Sequence, residues 1–164
     1  MKDVRIDMTK VVPECEMRGD SAEDTCLLRE MFREAKEYLE AFHWCGGIKD
    51  SFFGLGVGGI VGVFLFNIVP AAQGVDDWVW VIVGDLPPAY ITVDNAHNPA
   101  RALDGYMGEM AAWAEAAMNG LSVDDLIPVN VPPTRENALA LRSRLEFLDE
   151  MILPDYRNDL SEAF

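Results

Sequence analysis

The stretch GLGVGGIVGVFLF, residues 54–66, decides the fold because its glycines fit three different structures. Gly54, Gly56 and Gly59 match the G-x-G-x-x-G pattern of dinucleotide-binding loops. Glycines also recur at every fourth position, as they do where membrane helices pack closely. Finally, Gly58 and Gly59 stand together between two runs rich in β-branched and aromatic residues, as in a hairpin turn. The same glycines cannot serve all three structures, so the flanking sequence has to decide between them.

A dinucleotide site requires a strand before the glycines and a helix after them, because the helix N-terminus binds the phosphate. Here the preceding segment has the apolar spacing of a helix, and the following residues are β-branched and aromatic. Pro70 ends this run, and the segment before Trp78 is too short for a helix. Asp76 and Asp77 lie near the distance of a ribose-binding acid, but that spacing alone is a weak signal. The sequence therefore predicts no dinucleotide, and no other motif indicates a cofactor.

A membrane helix is the second interpretation, because residues 51–75 contain no charged side chain. These 25 residues exceed the roughly 20 that cross a bilayer. However, Asn67 and Pro70 interrupt the apolar run, and acidic residues flank it on both sides. A hairpin with strands at Phe52–Val57 and Ile60–Val69 fits better, since a sheet needs these strands to be stable. We therefore predict no membrane span, and a turn in which both central glycines have positive φ.

Helices and further strands complete the predicted fold. Each is predicted from the spacing of its apolar residues and from the residues that begin and end it. The resulting class is α+β, with an N-terminal helix, a four-stranded antiparallel meander and two C-terminal helices. One domain is expected over residues 21–154, with a loosely ordered N-terminal segment at 1–20 and a C-terminal tail at 155–164. The remaining predicted elements are helices over residues 21–45, 98–120 and 134–154, and strands over 78–83 and 89–93. Ser21, Asn98 and Thr134 are the predicted N-terminal caps, and Gly46 and Gly47 are expected to end the first helix.

The composition is strongly acidic, with 28 Asp and Glu against 13 Lys and Arg and a formal net charge of −15. Such a surface repels nucleic-acid phosphates and anionic lipid head groups, and it attracts a basic protein. Acidity that only maintains solubility is an equally good explanation. Cys15, Cys26 and Cys45 are odd in number and widely spaced. That pattern favours reduced thiols in a cytoplasmic protein.

A loop between the last predicted strand and the second helix carries polar candidates for binding. Asp94, Asn95 and His97 precede the expected helix cap at Asn98, where an anion could bind and His97 could act as a general base. The structural alternative is a turn at Asp94 and Asn95 and a cap at Asn98. No nucleophile, paired carboxylates or metal-spaced cluster accompanies the loop. We therefore assign no catalytic residue and predict no metal site.

Acidic and aromatic side chains flank the strand that begins at Trp78. Asp76 and Asp77 precede it, and Asp85 and Tyr90 follow it. Trp78 could simply fill the core, while Asp85 supports a turn. Alternatively, a Trp edged by acids presents an anchor to a basic partner. The strand is apolar on both alternating faces, which requires cover on both sides or a partner on one of them, and this leaves a homodimer open.

Three blocks carry a resemblance to known proteins: WVWVIVGDLPPAYITVDN at 78–95, ALDGYMGEMAAWAEA at 102–116 and IPVNVPPT at 127–134. Over roughly residues 54–153, the chain resembles a group of small uncharacterised bacterial cytoplasmic proteins, and GDLPPAY is the most specific block. The resemblance implies no catalytic residue. In size and acidity alone, the chain also resembles bacterial toxin-immunity proteins.

The sequence supports two functional hypotheses. The first is an immunity-type interaction protein that binds and neutralises a basic toxin or enzyme, through the acids around Trp78. The second is a small enzyme or ligand-binding protein that uses the Asp94–Asn98 loop and the glycine-lined sheet. Mimicry of nucleic acid by ordered rows of carboxylates ranks below both, because the acids are scattered along the chain.

Overall fold

The computed structural model describes residues 6–163 and contains an antiparallel sheet with helices on both of its faces. The predicted α+β class is confirmed, and every strand pairs with its neighbour in the chain. The helices of the described residues are α1 (Ala22–Glu40), α2 (Pro99–Met118), α3 (Arg135–Met151) and α4 (Arg157–Ser161), and the strands are β1 (Val12–Pro13), β2 (Cys45–Val57), β3 (Val61–Pro70), β4 (Trp78–Gly84) and β5 (Ala89–Thr92).

The sheet has five strands rather than the predicted four, and its order is β1-β2-β3-β4-β5. The additional strand is β1, in which Val12 pairs with Phe53 and Pro13 pairs with Phe52. The apolar pair Val11-Val12 indicates a short strand here, but two residues are too few to show the alternation of a strand, so the predicted sheet does not include it. A further short helix, α4, lies within the segment that was predicted to be a tail.

The two adjacent glycines form the predicted hairpin turn between β2 and β3. The Ile60 N–H donates to the Val57 carbonyl at 3.0 Å, which closes a turn around Gly58 and Gly59. Only Gly59 has a positive φ, at +78°, so the expectation of two such residues is wrong. Gly58 is required for space instead, because a Cβ there would lie 2.6 Å from the Asp24 Oδ1. The glycines therefore belong to a sheet, and not to a phosphate-binding loop.

Helices cover both faces of the sheet, which explains why β3 and β4 are apolar on both sides. Towards α1, β3 buries Phe64 and Phe66 in one apolar cluster. Towards α2, the same strand buries Val63 and Leu65 in a second cluster. The expected cover on both faces is thus supplied within the chain itself. α3 packs against α2 and contributes to the second cluster.

The first helix ends five residues earlier than predicted, at Glu40, and β2 begins at Cys45. The Ser21 hydroxyl accepts the Asp24 N–H at 3.1 Å, so the predicted N-terminal cap is present. Gly46 and Gly47, which were expected to end the helix, lie inside β2 instead. Gly47 has a φ of +147° there, and the pairing with β3 shifts its register between Cys45 and Ile48.

The caps predicted for the two C-terminal helices are present. Asn98 caps α2 by accepting the Arg101 N–H at 2.9 Å, and Thr134 caps α3 by accepting the Asn137 N–H at 3.1 Å. Among residues 6–163, no helix has both the length and the apolar character that crossing a membrane requires.

Candidate functional site

A cavity of about 230 Å³ opens at the end of the sheet where β4 begins. Three of the residues singled out in the sequence, Asp76, Trp78 and Tyr90, line it together. Trp44, which precedes β2, supplies an aromatic wall that the sequence did not indicate. The other lining residues are Gly74, Val75, Val79 and Thr92. We refer to this space as the aromatic cavity.

Ring contacts hold the walls of the aromatic cavity in place. The Trp44 and Tyr90 rings meet at a centroid distance of 5.1 Å and an angle of 67°. Phe42 stacks on Trp44 at 5.0 Å and meets the edge of Tyr90 at 5.3 Å. Such tilted and offset pairs are the favoured geometries of aromatic side chains. Tyr90 nevertheless remains 38% exposed, so its ring is accessible from outside.

Tyr38 on α1 supports this aromatic group from behind. Its ring meets Phe42 at 5.1 Å with an angle of 82°. Burial, with a smaller contribution from the neighbouring Tyr90, raises the pKa of the Tyr38 phenol to about 12. The phenol is therefore neutral at physiological pH. Among the residues that line the cavity, Asp76 carries the carboxyl group.

The other acids that flank β4 in the sequence do not all meet at the aromatic cavity. Asp77 is exposed next to it, and its carbonyl accepts the Ile68 N–H at 2.7 Å. Asp85 follows the opposite end of β4, a strand of seven residues. A strand of that length spans roughly 20 Å. Asp85 lies there within 3.3 Å of the Arg144 guanidinium, so it belongs to a different surface.

The predicted binding loop after β5 is fastened to both terminal segments of the described chain. The Trp80 indole N–H donates to the Ala96 carbonyl at 2.8 Å. The Asp7 N–H donates to the His97 carbonyl at 2.7 Å, and the Asn98 amide donates to the Asp159 carbonyl at 2.9 Å. The side chain of Asn98 thus joins α4 to the helix that it caps.

The pKa of His97 and a nearby ion pair reflect the packing of this loop against the two terminal segments. Burial, followed by the nearby Arg101 cation, lowers the pKa of His97. The Lys10 ammonium contacts the Asp159 carboxylate at 2.9 Å across the junction of the two terminal segments. Asp94 and Asn95 are exposed beside it. Across residues 6–163, no group of three or more His, Cys, Asp or Glu side chains is arranged to hold a metal ion.

The largest concave surface among those we describe lies between α2 and α3, where a groove encloses about 770 Å³. We refer to it as the α2–α3 groove. Its floor is apolar, and its rim carries four carboxylates and one guanidinium. The floor consists of Met107, Gly108, Ala111, Ala114, Met118 and Leu145, and the polar lining consists of Asp104, Glu115, Asn119, Arg142, Glu146 and Asp149.

Two glycines lie inside α2, and one of them, Gly108, lines this groove. Gly105 and Gly108 are exposed, and a Cβ added to either one would meet no other atom within 4 Å. Glycine in a helix interior costs about 0.5–1 kcal/mol relative to alanine. Packing within the described chain therefore gives no reason for either glycine. Both glycines lie on the second predicted helix, and the destabilisation that glycine causes there is a signal the sequence prediction did not use.

Comparisons with known proteins yield no relative: no family model, curated protein or solved structure matches this chain.

Proposed function

We propose that the protein is a small acidic interaction protein of the immunity type, which binds a basic protein and neutralises it. The observation that supports this proposal most directly is the apolar, acid-rimmed groove between α2 and α3. A basic amphipathic helix of the partner fits such a groove, with its apolar face on the floor and its cations at the rim.

The charges of the rim favour a basic occupant. Four carboxylates and one guanidinium leave the lining with three net negative charges. The guanidinium, that of Arg142, is already within 3.4 Å of the Glu146 carboxylate. Complementary charge accelerates association and excludes partners of the wrong sign. The whole chain, at −15, acts in the same direction.

The shape of the floor favours close approach by another backbone. Gly108 and Ala111 are exposed on adjacent turns of α2 and present little more than main chain. Small residues allow two helices to pack with short interaxial distances. A second copy of this chain is a poor occupant, because two acidic rims would then face each other.

The alternative, a catalytic or ligand-binding loop at Asp94–Asn98, has less support. The Asn98 side chain bonds to Arg101 and Asp159, and the His97 carbonyl accepts the Asp7 N–H. These contacts are those of a cap and a junction between chain segments.

Two double variants test the proposal, because they change the net charge equally at different places. E115K with D149K reverses two acids of the groove, and E30K with E37K reverses two exposed acids of α1. Each pair moves the formal charge from −15 to −11. Immobilised wild-type protein and both variants are exposed to lysate of the source cells, and any basic protein retained is then purified and titrated.

We expect the groove variant to bind the purified partner at least about tenfold more weakly, and the α1 variant to retain most of the affinity. G108L should weaken binding as well, because it fills the floor without changing the charge. Equal losses in both double variants would assign the effect to overall charge and contradict docking at the groove. Failure to retain any basic protein would contradict the function itself.

A further inference from the structure

We propose that the aromatic cavity is a binding site for a compact organic cation, namely a quaternary ammonium or guanidinium group. The inference goes beyond the proposed function, because it concerns a different surface and a small chemical group. The cavity is lined by Val79 and Tyr90, which face α1, whereas the groove lies on the side of α2 and α3.

The walls of the cavity have the electrostatic character that a cation requires. The face of an aromatic ring carries partial negative charge, and Trp attracts cations most strongly. The rings of Trp44 and Tyr90 line this space and meet at an angle of 67°. The Trp78 ring packs against Phe52 on the other face of the sheet, so Trp78 borders the cavity without supplying an aromatic wall. The rings of Trp44 and Tyr90 are in contact, with their centroids 5.1 Å apart, and form a corner in which a small group can touch both of them.

Asp76 adds a full negative charge to the aromatic walls. Its side chain is half-buried and lines the cavity, and none of the eight lining residues is Lys or Arg. A carboxylate in such a position has no cation of its own inside the cavity. An organic cation that entered would contact the rings and the carboxylate at once, and water would be displaced from both.

The size of the cavity restricts the ligand to a small group. Pockets that hold drug-sized molecules measure about 300–1,000 Å³. The aromatic cavity, at about 230 Å³, suits a head group of a few heavy atoms. A free metabolite that carries such a group, or the arginine side chain of a protein, could deliver it, and the two sources differ only in the rest of the molecule to which the head group is attached.

Titrations with matched cationic and neutral compounds test the site directly. Choline is compared with dimethylbutanol, its neutral carbon isostere, and N-acetylarginine methylamide is compared with the corresponding citrulline derivative. Nuclear magnetic resonance follows the indole N–H signal of Trp44, with those of the buried Trp80 and Trp113 as internal references. The protein is used as the full chain, without any partner.

We expect a saturable shift of the Trp44 signal with a cation, and at least about tenfold weaker binding of its neutral isostere. The cation that binds more tightly identifies the source. Equal binding of cation and isostere, or no saturation up to about 50 mM, would overturn the proposal. Either result leaves the groove and the basic partner untouched, so the two proposals fail separately.

Variants confirm the location of the bound cation. Y90F keeps the ring and should bind as the wild type does, whereas Y90L should bind about tenfold more weakly. D76N preserves the shape of the cavity and should weaken cation binding about fivefold, without changing the affinity for the isostere. D125N, which removes an exposed carboxylate from the connection between α2 and α3, is the matched control. Equal effects of D76N and D125N would contradict the assignment.

Discussion

At the scale of single residues, Gly58 and Gly59 are required for different physical reasons. Gly58 lies against α1, and its N–H donates to the Asp24 carboxylate at 2.6 Å. Gly59 has open space around it and is constrained only by its φ of +78°. A side chain at the first position therefore collides with a neighbour, whereas a side chain at the second strains the backbone that carries it.

We expect G59V to lower the free energy of unfolding by about 1–2 kcal/mol, because a β-branched residue is disfavoured in the left-handed region. G59N is the matched control and should cost only a few tenths of a kcal/mol, since Asn tolerates that region. Urea denaturation of the three proteins measures the difference. Equal stability of G59V and G59N would show that the turn relaxes to negative φ.

At the scale of elements, local signals predicted the C-terminal helices well. Asn98 followed by Pro99, and Thr134 at the start of α3, are caps whose chemistry is contained in a few neighbouring residues. The end of α1 was predicted wrongly because Phe42 continues the helical spacing of the residues before it. Its ring instead packs on Tyr90, which is far away in the chain and absent from any local pattern.

The candidate sites show the same difference between residues that a local pattern indicates and residues that only a long-range contact brings together. The sequence indicated Asp76, Trp78 and Tyr90, because acids and aromatics bracket one strand. It did not indicate Trp44, which reaches the aromatic cavity only because β2 begins directly after it. The α2–α3 groove was missed altogether, since its two walls come from helices that are separated by a long connection.

Because the phenol of Tyr38 on α1 is half-buried, we expect the free energy of unfolding to fall at alkaline pH. Tyr is charged when deprotonated, and its pKa is about 12 in the folded protein against 10.0 in the unfolded reference. The unfolded chain therefore loses the proton first as pH rises. The contribution of Tyr38 to stability is fully present below about pH 10 and is lost as the pH approaches 12.

We expect Y38F to flatten the decline of unfolding free energy between about pH 10 and 12. L145A is the control, because it removes a buried side chain from the cluster on the other face of the sheet without removing a titrating group or exposing Tyr38. It should lower stability by a similar amount at each pH and leave the slope unchanged. Denaturation curves across this range provide the measurement, and an unchanged slope in Y38F would contradict the assignment.

At the scale of the whole molecule, an excess of negative charge opposes folding. With 28 acidic residues against 13 basic ones, compaction brings like charges together. Salt shortens the range of that repulsion from about 30 Å at 0.01 M to about 8 Å at 0.15 M. Ion pairs weaken under the same conditions, but exposed pairs such as Lys36 with Glu40 contribute little.

We therefore expect the thermal midpoint to rise by about 2–4 °C over this range of salt, for a gain of about 1 kcal/mol. The E30K and E37K double variant has a smaller net charge and should show a smaller rise. A midpoint that falls with added salt would mean that attractive pairs outweigh the overall repulsion. Scanning calorimetry at several salt concentrations distinguishes these outcomes.

The sheet also determines how readily another chain could extend it. An exposed strand edge is a template for self-association, and proteins protect such edges with charges, irregularities and proline. The outer edge of β2 has all three kinds of protection: exposed Lys49 and Asp50, breaks in its register, and the short β1, whose Pro13 has no N–H to offer. The long apolar strands β3 and β4 have a neighbour on each side and present no edge. The most apolar stretch of the sequence is thereby kept from forming amyloid-like contacts for as long as the hairpin stays closed.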